Sequence, residues 1–374
     1  MIQVKEKIRV VIAGQGRSGY NIHASTLIKD LSDKFQVVAV ADEIPGRCDD
    51  ANKLAGAKTY LDYKPMIKAG GFDIFINALP QPWHINASIQ ALRAGYHVVC
   101  EKPISSKVKD FDKIVDAAKK EKLKFFPFQQ NRFQPFFIKM QEIIDSGVMG
   151  PLIHVRSNWS NFARRWDWQT FQKNMGGCLL NTGPHSIDQA ILLLKEKKPN
   201  VFCKMSCHNV FEGDAPDFCS LTLYGDNIPT IDILISAYSA YKFGPRYSVS
   251  CLYGGLTGNE FELEWRYFDP KKAPKQKMWR NWSVDRKYPS ETLPWVENKW
   301  TLEQSELSRA TGYTLVSLPK APAAFYHNVY DVIQNNAKQI VTIKQVRQQL
   351  EIMEIAEKQN KLLYSKKNKK SSKS

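Results

Sequence analysis

The sequence predicts a two-domain α/β protein whose first part is built on a parallel sheet. Two observations carry that prediction. Apolar, strand-like runs alternate with helix-compatible segments through the first third of the chain, as in "IRVVIAG", "FQVVAVAD", "FDIFINALP" and "YHVVCEKP", and strands that alternate with helices pair in parallel. The chain is also long enough, at 374 residues with 43% hydrophobic content, for two cores, since domains usually hold roughly 100 to 200 residues.

The first strand, in "IRVVIAGQGRSGYNIHASTL", turns on Gly14, Gly16 and Gly19 with the spacing G-x-G-x-x-G before a helix-compatible run. Gly14 permits the tight turn, Gly16 lets the backbone approach a pyrophosphate, and Gly19 lets helix and strand pack closely; a plain tight turn is the alternative. Arg17 and Ser18 belong to the same cradle, at a helix N-terminus that favours an anion. The second strand ends in Asp42, a little over twenty residues after the glycines, where a carboxylate can accept hydrogen bonds from ribose hydroxyls. Asp42 followed by Glu43 repels a 2′-phosphate, which favours NAD over NADP, while Arg47 argues the other way. The third strand ends in Ala78, Leu79 and Pro80. A helix follows with Ile85, Ile89 and Leu92 on one face and Gly95 as its stop. The fourth ends in Glu101, Lys102 and Pro103. Ligands of parallel sheets lie beyond the carboxyl ends of the strands, so all these residues share one rim.

Pro103 disfavours the α region for Lys102 and keeps it extended. A pre-set ammonium suits charge developing on a substrate oxygen; a surface lysine ending a strand is the plainer alternative. In "MGGCLLNTGPHSIDQAILLL", Ile187, Ala190, Ile191 and Leu194 recur at helical spacing and Pro184 fits a first turn, so a helix starts near Thr182. Asn181, His185 and Asp188 then project from one side. A neutral His185 could accept a hydroxyl proton, with Asp188 or Asn181 orienting it; a capping or structural histidine is the alternative.

The net charge of +16 raises the question of nucleic acid, but much of it has a simpler origin. The tail "SKKNKKSSKS", residues 365–374, holds five lysines and no apolar residue, and is expected to be disordered. Other lysines line the outer face of a helix whose inward stripe is Phe111, Ile114, Val115 and Ala118. No nucleic-acid partner is expected. Seven scattered cysteines fit thiols better than a disulfide framework. Cys203, Cys207 and His208 lack a second ligand pair, so strand packing is expected there and no metal. No run reaches the roughly 18 apolar residues of a membrane span, and the N-terminus moves directly into a strand without a signal-peptide pattern. A soluble, cytoplasmic protein is expected. Residues 271–300, rich in Pro, Lys and Trp with little periodicity, read as a long covering loop.

The glycine motif, the run "ALPQPWHINASIQALRAGYHVVCEKP" and "GGCLLNTGPHSID" stand in the order and approximate spacing of the Gfo/Idh/MocA oxidoreductases. The chain resembles this family, that of glucose-fructose oxidoreductase and the inositol dehydrogenases, over nearly its whole length. The likeness weakens between about 241 and 322 and resumes at "FYHNVYDVIQNNAKQIV". It implies an N-terminal Rossmann dinucleotide-binding domain over 1–128 and a C-terminal α/β domain with an open, mainly antiparallel sheet over 129–364. A homodimer or homotetramer is implied as well. By position, Lys102 matches the family's active-site lysine and His185 its histidine, while Asn181 stands where many members carry an aspartate. "LPQPWH", with His84, resembles the segment beside the nicotinamide ribose. Gln130 and Arg132 match residues that often line the cleft. "NFARRWDWQTF" matches a loop facing the substrate, where Trp166 and Trp168 could stack on a sugar and Arg164 or Arg165 could bind hydroxyls or a carboxylate; core or interface tryptophans are the alternative.

The implied reaction is NAD-dependent hydride transfer between nicotinamide and a secondary hydroxyl of a sugar, polyol or glycoside. Two other readings stay open: glycoside cleavage with a retained NAD and no net redox, and a sugar-sensing regulator that has lost chemistry. Asn181 cannot stabilise an imidazolium as an aspartate would, so His185 should be a weaker base. Lys102 then performs the proton transfer, or Asn181 is tuned to another substrate, or catalysis is lost.

Overall fold

The computed structural model describes residues 6–241, 244–276, 278, 286–302, 320–361 and 363. Six strands, β1 (Ile8–Ala13), β2 (Phe35–Ala41), β3 (Lys58–Tyr60), β4 (Ile74–Asn77), β5 (His97–Cys100) and β6 (Phe125–Pro127), form one sheet in the order β3-β2-β1-β4-β5-β6. Every pairing in it is parallel. All of β4 is buried, as expected of a strand covered on both faces. The order reverses between β1 and β4, which opens a crevice at their carboxyl ends.

The connections follow the predicted pattern. Gly19–Ala24 and Thr26–Asp30 are wound as π-helix. They are followed by α1 (Pro45–Ala55), α2 (Tyr63–Ala69), α3 (His84–Arg93) and α4 (Val108–Lys120). Helix α3 ends just before Gly95, which takes φ +93°, the left-handed region that glycine enters freely. On α4 the stripe Phe111, Ile114, Val115 and Ala118 is buried.

After α5 (Pro135–Asp145), a second sheet assembles from β7 (Leu152–Asn158), β8 (Asn200–Ser206), β9 (Phe218–Tyr224), β10 (Thr230–Ser236), β11 (Tyr247–Cys251), β12 (Gly254–Gly258), β13 (Glu262–Tyr267) and β14 (Val296–Thr301). Its order is β14-β13-β12-β11-β7-β10-β9-β8. The pairs are antiparallel except β7 with β10. Alternation sets its faces: Cys219, Leu221 and Leu223 of β9 point inward, and Cys203 is packed into β8. Helix α6 (Gly183–Leu193) is buried along nearly all its length, which its mostly apolar sequence permits.

Two helices, α7 (Lys320–Gln334) and α8 (Ile343–Gln359), return the chain to the first sheet. Phe325 and Tyr326 of α7 pack on Phe128. From α8, Glu354 accepts the Val108 N–H of α4, Glu357 pairs with Lys107, and Gln349 meets Gln129. The C-terminal segment therefore ties the two sheets together.

The covering loop expected over 271–300 is shorter than predicted, because Val296–Thr301 pairs with β13. Exposed and half-buried positions in β14 carry no apolar alternation, so its sequence looks like loop. Residues 277 and 279–285 of that stretch and the tail 365–374 lie outside the described residues. Among the described residues no helix is long and apolar enough to cross a membrane.

A buried ion pair joins α6 to the segment before α5. Arg132 and Asp188 are 4% and 1% exposed, with Arg132 Nε donating to Asp188 Oδ2 at 3.0 Å. Arg132 Nη1 donates to Gln345 Oε1 at 2.8 Å and to the Ile340 carbonyl at 3.0 Å. Removing one partner strands a buried charge. Arg132→Met should lower stability by about 3–5 kcal/mol, read as a fall in the urea midpoint, with Arg132→Met/Asp188→Leu recovering part of the loss.

Candidate active site

The three glycines stand in three different surroundings. Gly14 takes φ +89°, and a Cβ there would meet the Ala78 carbonyl oxygen at 2.3 Å. A Cβ on Gly19 would meet the Gly14 oxygen at 1.8 Å, whereas around Gly16 nothing lies within 4 Å. Turn and close packing thus use the outer glycines, and the middle one faces open space where a phosphate can approach the backbone. Arg17 is exposed and Ser18, at the helix start, makes no side-chain capping bond. Asp42, 8% exposed, accepts the Gln15 N–H at 2.7 Å and the Ile44 N–H at 3.0 Å. Arg47 Nη1 lies 3.5 Å from its Oδ1. These features fit a dinucleotide: a cradle for the pyrophosphate and a carboxylate with remaining acceptor capacity for a ribose.

Lys102 lies two residues beyond β5 at the same rim, and its peptide bond to Pro103 is cis. Its Nζ donates to the Asn181 carbonyl at 2.9 Å, with Asn181 Oδ1 at 3.5 Å, so the lysine of the first sheet reaches the turn that precedes α6. Burial draws its pKa down to about 8; Glu101 opposes the fall, and Arg17 and Arg165 add to it. Close by, His185 is 5% exposed. Burial first, then the charges of Lys102, Arg17 and Arg246, hold it well below the ordinary histidine value. Its Nδ1 has no partner among the described residues, and its ring stacks on Trp159 with centroids 6.2 Å apart. The site combines a lysine poised between its two charge states with a neutral imidazole.

Several expected contacts fall elsewhere. Asp188 does not orient His185, because Arg132 holds it; for the same reason Arg132 does not face the cleft. Asn181 turns to Lys102 instead of His185. His84 is 1% exposed, with Nδ1 at 2.8 Å from the Pro103 carbonyl and Nε2 at 2.8 Å from that of Leu79. It braces the rim from behind instead of facing a ligand. Glu101 is also turned inward, at 5% exposure. Gln130 is buried, and its Oε1 has no partner among the described residues. Ala78, Leu79 and Pro80 keep partial or full exposure at the rim. Arg165 donates to Asp167 and Gln169 and still bears on Lys102. Trp166 is 80% and Trp168 44% exposed, so neither belongs to the core.

Residues 8–128 match the family model described as "Oxidoreductase family, NAD-binding Rossmann fold", and residues 137–257 match "GFO/IDH/MocA C-terminal domain". The chain belongs to the GFO/IDH/MocA family. It is 28% identical over 190 residues to an uncharacterised oxidoreductase of Schizosaccharomyces pombe, covering 50% of this chain and 51% of that one. It is 28% identical over 192 residues to inositol 2-dehydrogenase of Salmonella typhimurium, covering 50% and 55%. In these matches the chain spans about half the length of the curated relatives. A solved NAD-binding protein from Listeria innocua shares the fold with a TM-score of 0.75 at 23% identity, over 96% of both chains.

In this GFO/IDH/MocA chain two residues of the site left no mark in the sequence. Arg246 lies 4.1 Å over the face of Trp159, pairs with Glu260, and so backs the ring that backs His185. Trp159 lies just beyond β7 and Arg246 just before β11, far apart in the sequence; only the pairing of those strands brings them together.

The unequal surroundings of the glycines give a test. Gly16→Ala should fold with near wild-type stability yet bind NAD at least about tenfold more weakly, roughly 1.4 kcal/mol. Gly19→Ala should lower the melting temperature as well. Calorimetric titration with NAD alongside thermal unfolding separates the two.

Proposed function

We propose that this protein is an NAD-dependent dehydrogenase acting on a secondary hydroxyl of a sugar, polyol or glycoside. The observation that carries this reading is the meeting of Lys102 with Asn181 beside a neutral His185, at the rim that also holds the glycine cradle. NAD bound in the cradle supplies the hydride acceptor. Lys102, with its pKa near 8, has a substantial neutral fraction around physiological pH and takes the hydroxyl proton. Its ammonium form then lies next to the oxygen that carried the charge. His185 hydrogen-bonds the same hydroxyl and orients it without becoming charged.

Asp42 supports NAD over NADP, since a 2′-phosphate would stand against its carboxylate and Arg47 is already drawn to that carboxylate. The inositol 2-dehydrogenase relatives support a polyol or sugar. Arg165 bears on Lys102, and the neighbouring Trp166 and Trp168 are accessible aromatic rings that could stack on a sugar. Self-association to a homodimer or homotetramer belongs to the same reading, on the family resemblance.

Oxidation requires neutral Lys102, so kcat/KM should rise with pH and level off above about 8. Asn181→Asp places a carboxylate where Oδ1 now lies 3.5 Å from Nζ, which raises the lysine pKa and should move the rise upward by about 1 unit. NAD reduction over a panel of sugars, polyols and glycosides, followed against pH, reads both. A profile that stays flat and is indifferent to Asn181→Asp would remove Lys102 from the proton step.

A further inference from the structure

Behind Lys102 three polar side chains are buried in a line that the proton transfer does not itself use. Glu101 Oε2 accepts the main-chain N–H of Lys102 at 2.9 Å. Glu101 Oε1 lies at ion-pair distance, 3.3 Å, from His23 Nε2, which makes no hydrogen bond among the described residues, and His23 Nδ1 lies 2.6 Å from the Tyr326 hydroxyl oxygen. His23 and Tyr326 are 0% exposed. Their surroundings are aromatic: the Phe128 ring is 4.4 Å from that of His23, and Phe35 and Phe325 meet Tyr326 edge-on. A carboxylate in such a place is costly unless it is paired, and an apolar trio of similar volume would pack there at less cost.

The proton roles along the line are consistent with one another. Burial and the nearby Glu101 raise the Tyr326 pKa well above its ordinary value, so the hydroxyl keeps its proton and shares a hydrogen bond with Nδ1 whose direction follows the imidazole tautomer. In the tautomer with its hydrogen on Nε2, that hydrogen faces Glu101. Burial would raise the Glu101 pKa, but His23 and Lys102 outweigh it and hold the carboxyl below its ordinary value. The ionised carboxylate raises the proton affinity of Lys102 against Arg17 and Arg165. The remaining titratable neighbours, His84 and His185, are both shifted by burial toward the neutral form.

We propose that Tyr326, His23 and Glu101 are positioning residues, a buried chain by which helix α7 holds the charge and direction of Lys102. Its bearing on hydride transfer rests on the role given to Lys102 above. The test therefore reads the lysine itself. Full-length protein is trace-acetylated with acetic anhydride from about pH 6 to about pH 10, and the extent of reaction at Lys102 is measured by mass spectrometry.

Wild type should titrate near 8. Tyr326→Phe removes only a hydroxyl and keeps the ring packing, and His23→Leu removes the imidazole that faces Glu101. Both should lower the midpoint by roughly 0.5 to 1 unit. His23→Gln, which keeps a polar N–H group beside Glu101, should restore it. Should His23→Leu fail to fold, Tyr326→Phe alone decides. An unmoved midpoint in folded Tyr326→Phe overturns the chain, whatever the turnover. A lowered midpoint in a protein that reduces no NAD would uphold the chain while removing the dehydrogenase reading.

Discussion

The contact between the Lys102 ammonium and the Asn181 carbonyl is the constraint on which the rest of the site depends. A lysine at the end of a parallel strand would ordinarily reach into water and keep its usual pKa. Here the turn before α6 closes over it, and α6 is in turn held by Arg132 on Asp188 and by Gln349 of α8 on the Pro184 carbonyl. The loss of hydration lowers the proton affinity of the lysine. The architecture of two sheets tied by C-terminal helices therefore has a chemical consequence at one nitrogen.

The charges around that nitrogen are unequal. Lys102, Arg17, Arg165 and Arg246 all bear on the site, and the nearest carboxylate, Glu101, approaches Lys102 from behind. His185 receives no carboxylate, because Asn181 supplies only an amide and Asp188 is spent on Arg132. The imidazole consequently stays neutral, and in the proposed mechanism the proton step passes to the lysine. Of the consequences that could follow from asparagine at position 181, transfer of the base role to Lys102 is the one these distances favour.

Four strands of the first sheet were legible in the sequence because they are largely apolar runs closed by a rim residue, whereas the exposed three-residue edge strand β3 and the short β6 carry no such signal. The helix after Thr182 was legible from its apolar period and Pro184. Less visible were contacts between distant segments. Asp188 and Arg132 each looked available for chemistry, since nothing local shows that they neutralise each other across 56 positions. His84 looked like a ligand contact because its place in the motif does not reveal that both its nitrogens face carbonyls. His23 carries no signal of its own in the sequence, since Glu101 and Tyr326 reach it from elsewhere in the chain. Strand β14 was hidden because its positions lie at an exposed sheet edge, where no apolar alternation is required.

The most direct measurement is transfer of a carbon-bound deuterium from a labelled sugar or polyol panel to NAD, with enzyme at stoichiometric concentration and the cofactor recovered for mass spectrometry. Deuterium should enter the nicotinamide with wild type, and with Lys102→Met it should not, although NAD binding is kept. Equal transfer in both proteins, or none in either with NAD bound, would contradict hydride chemistry governed by Lys102.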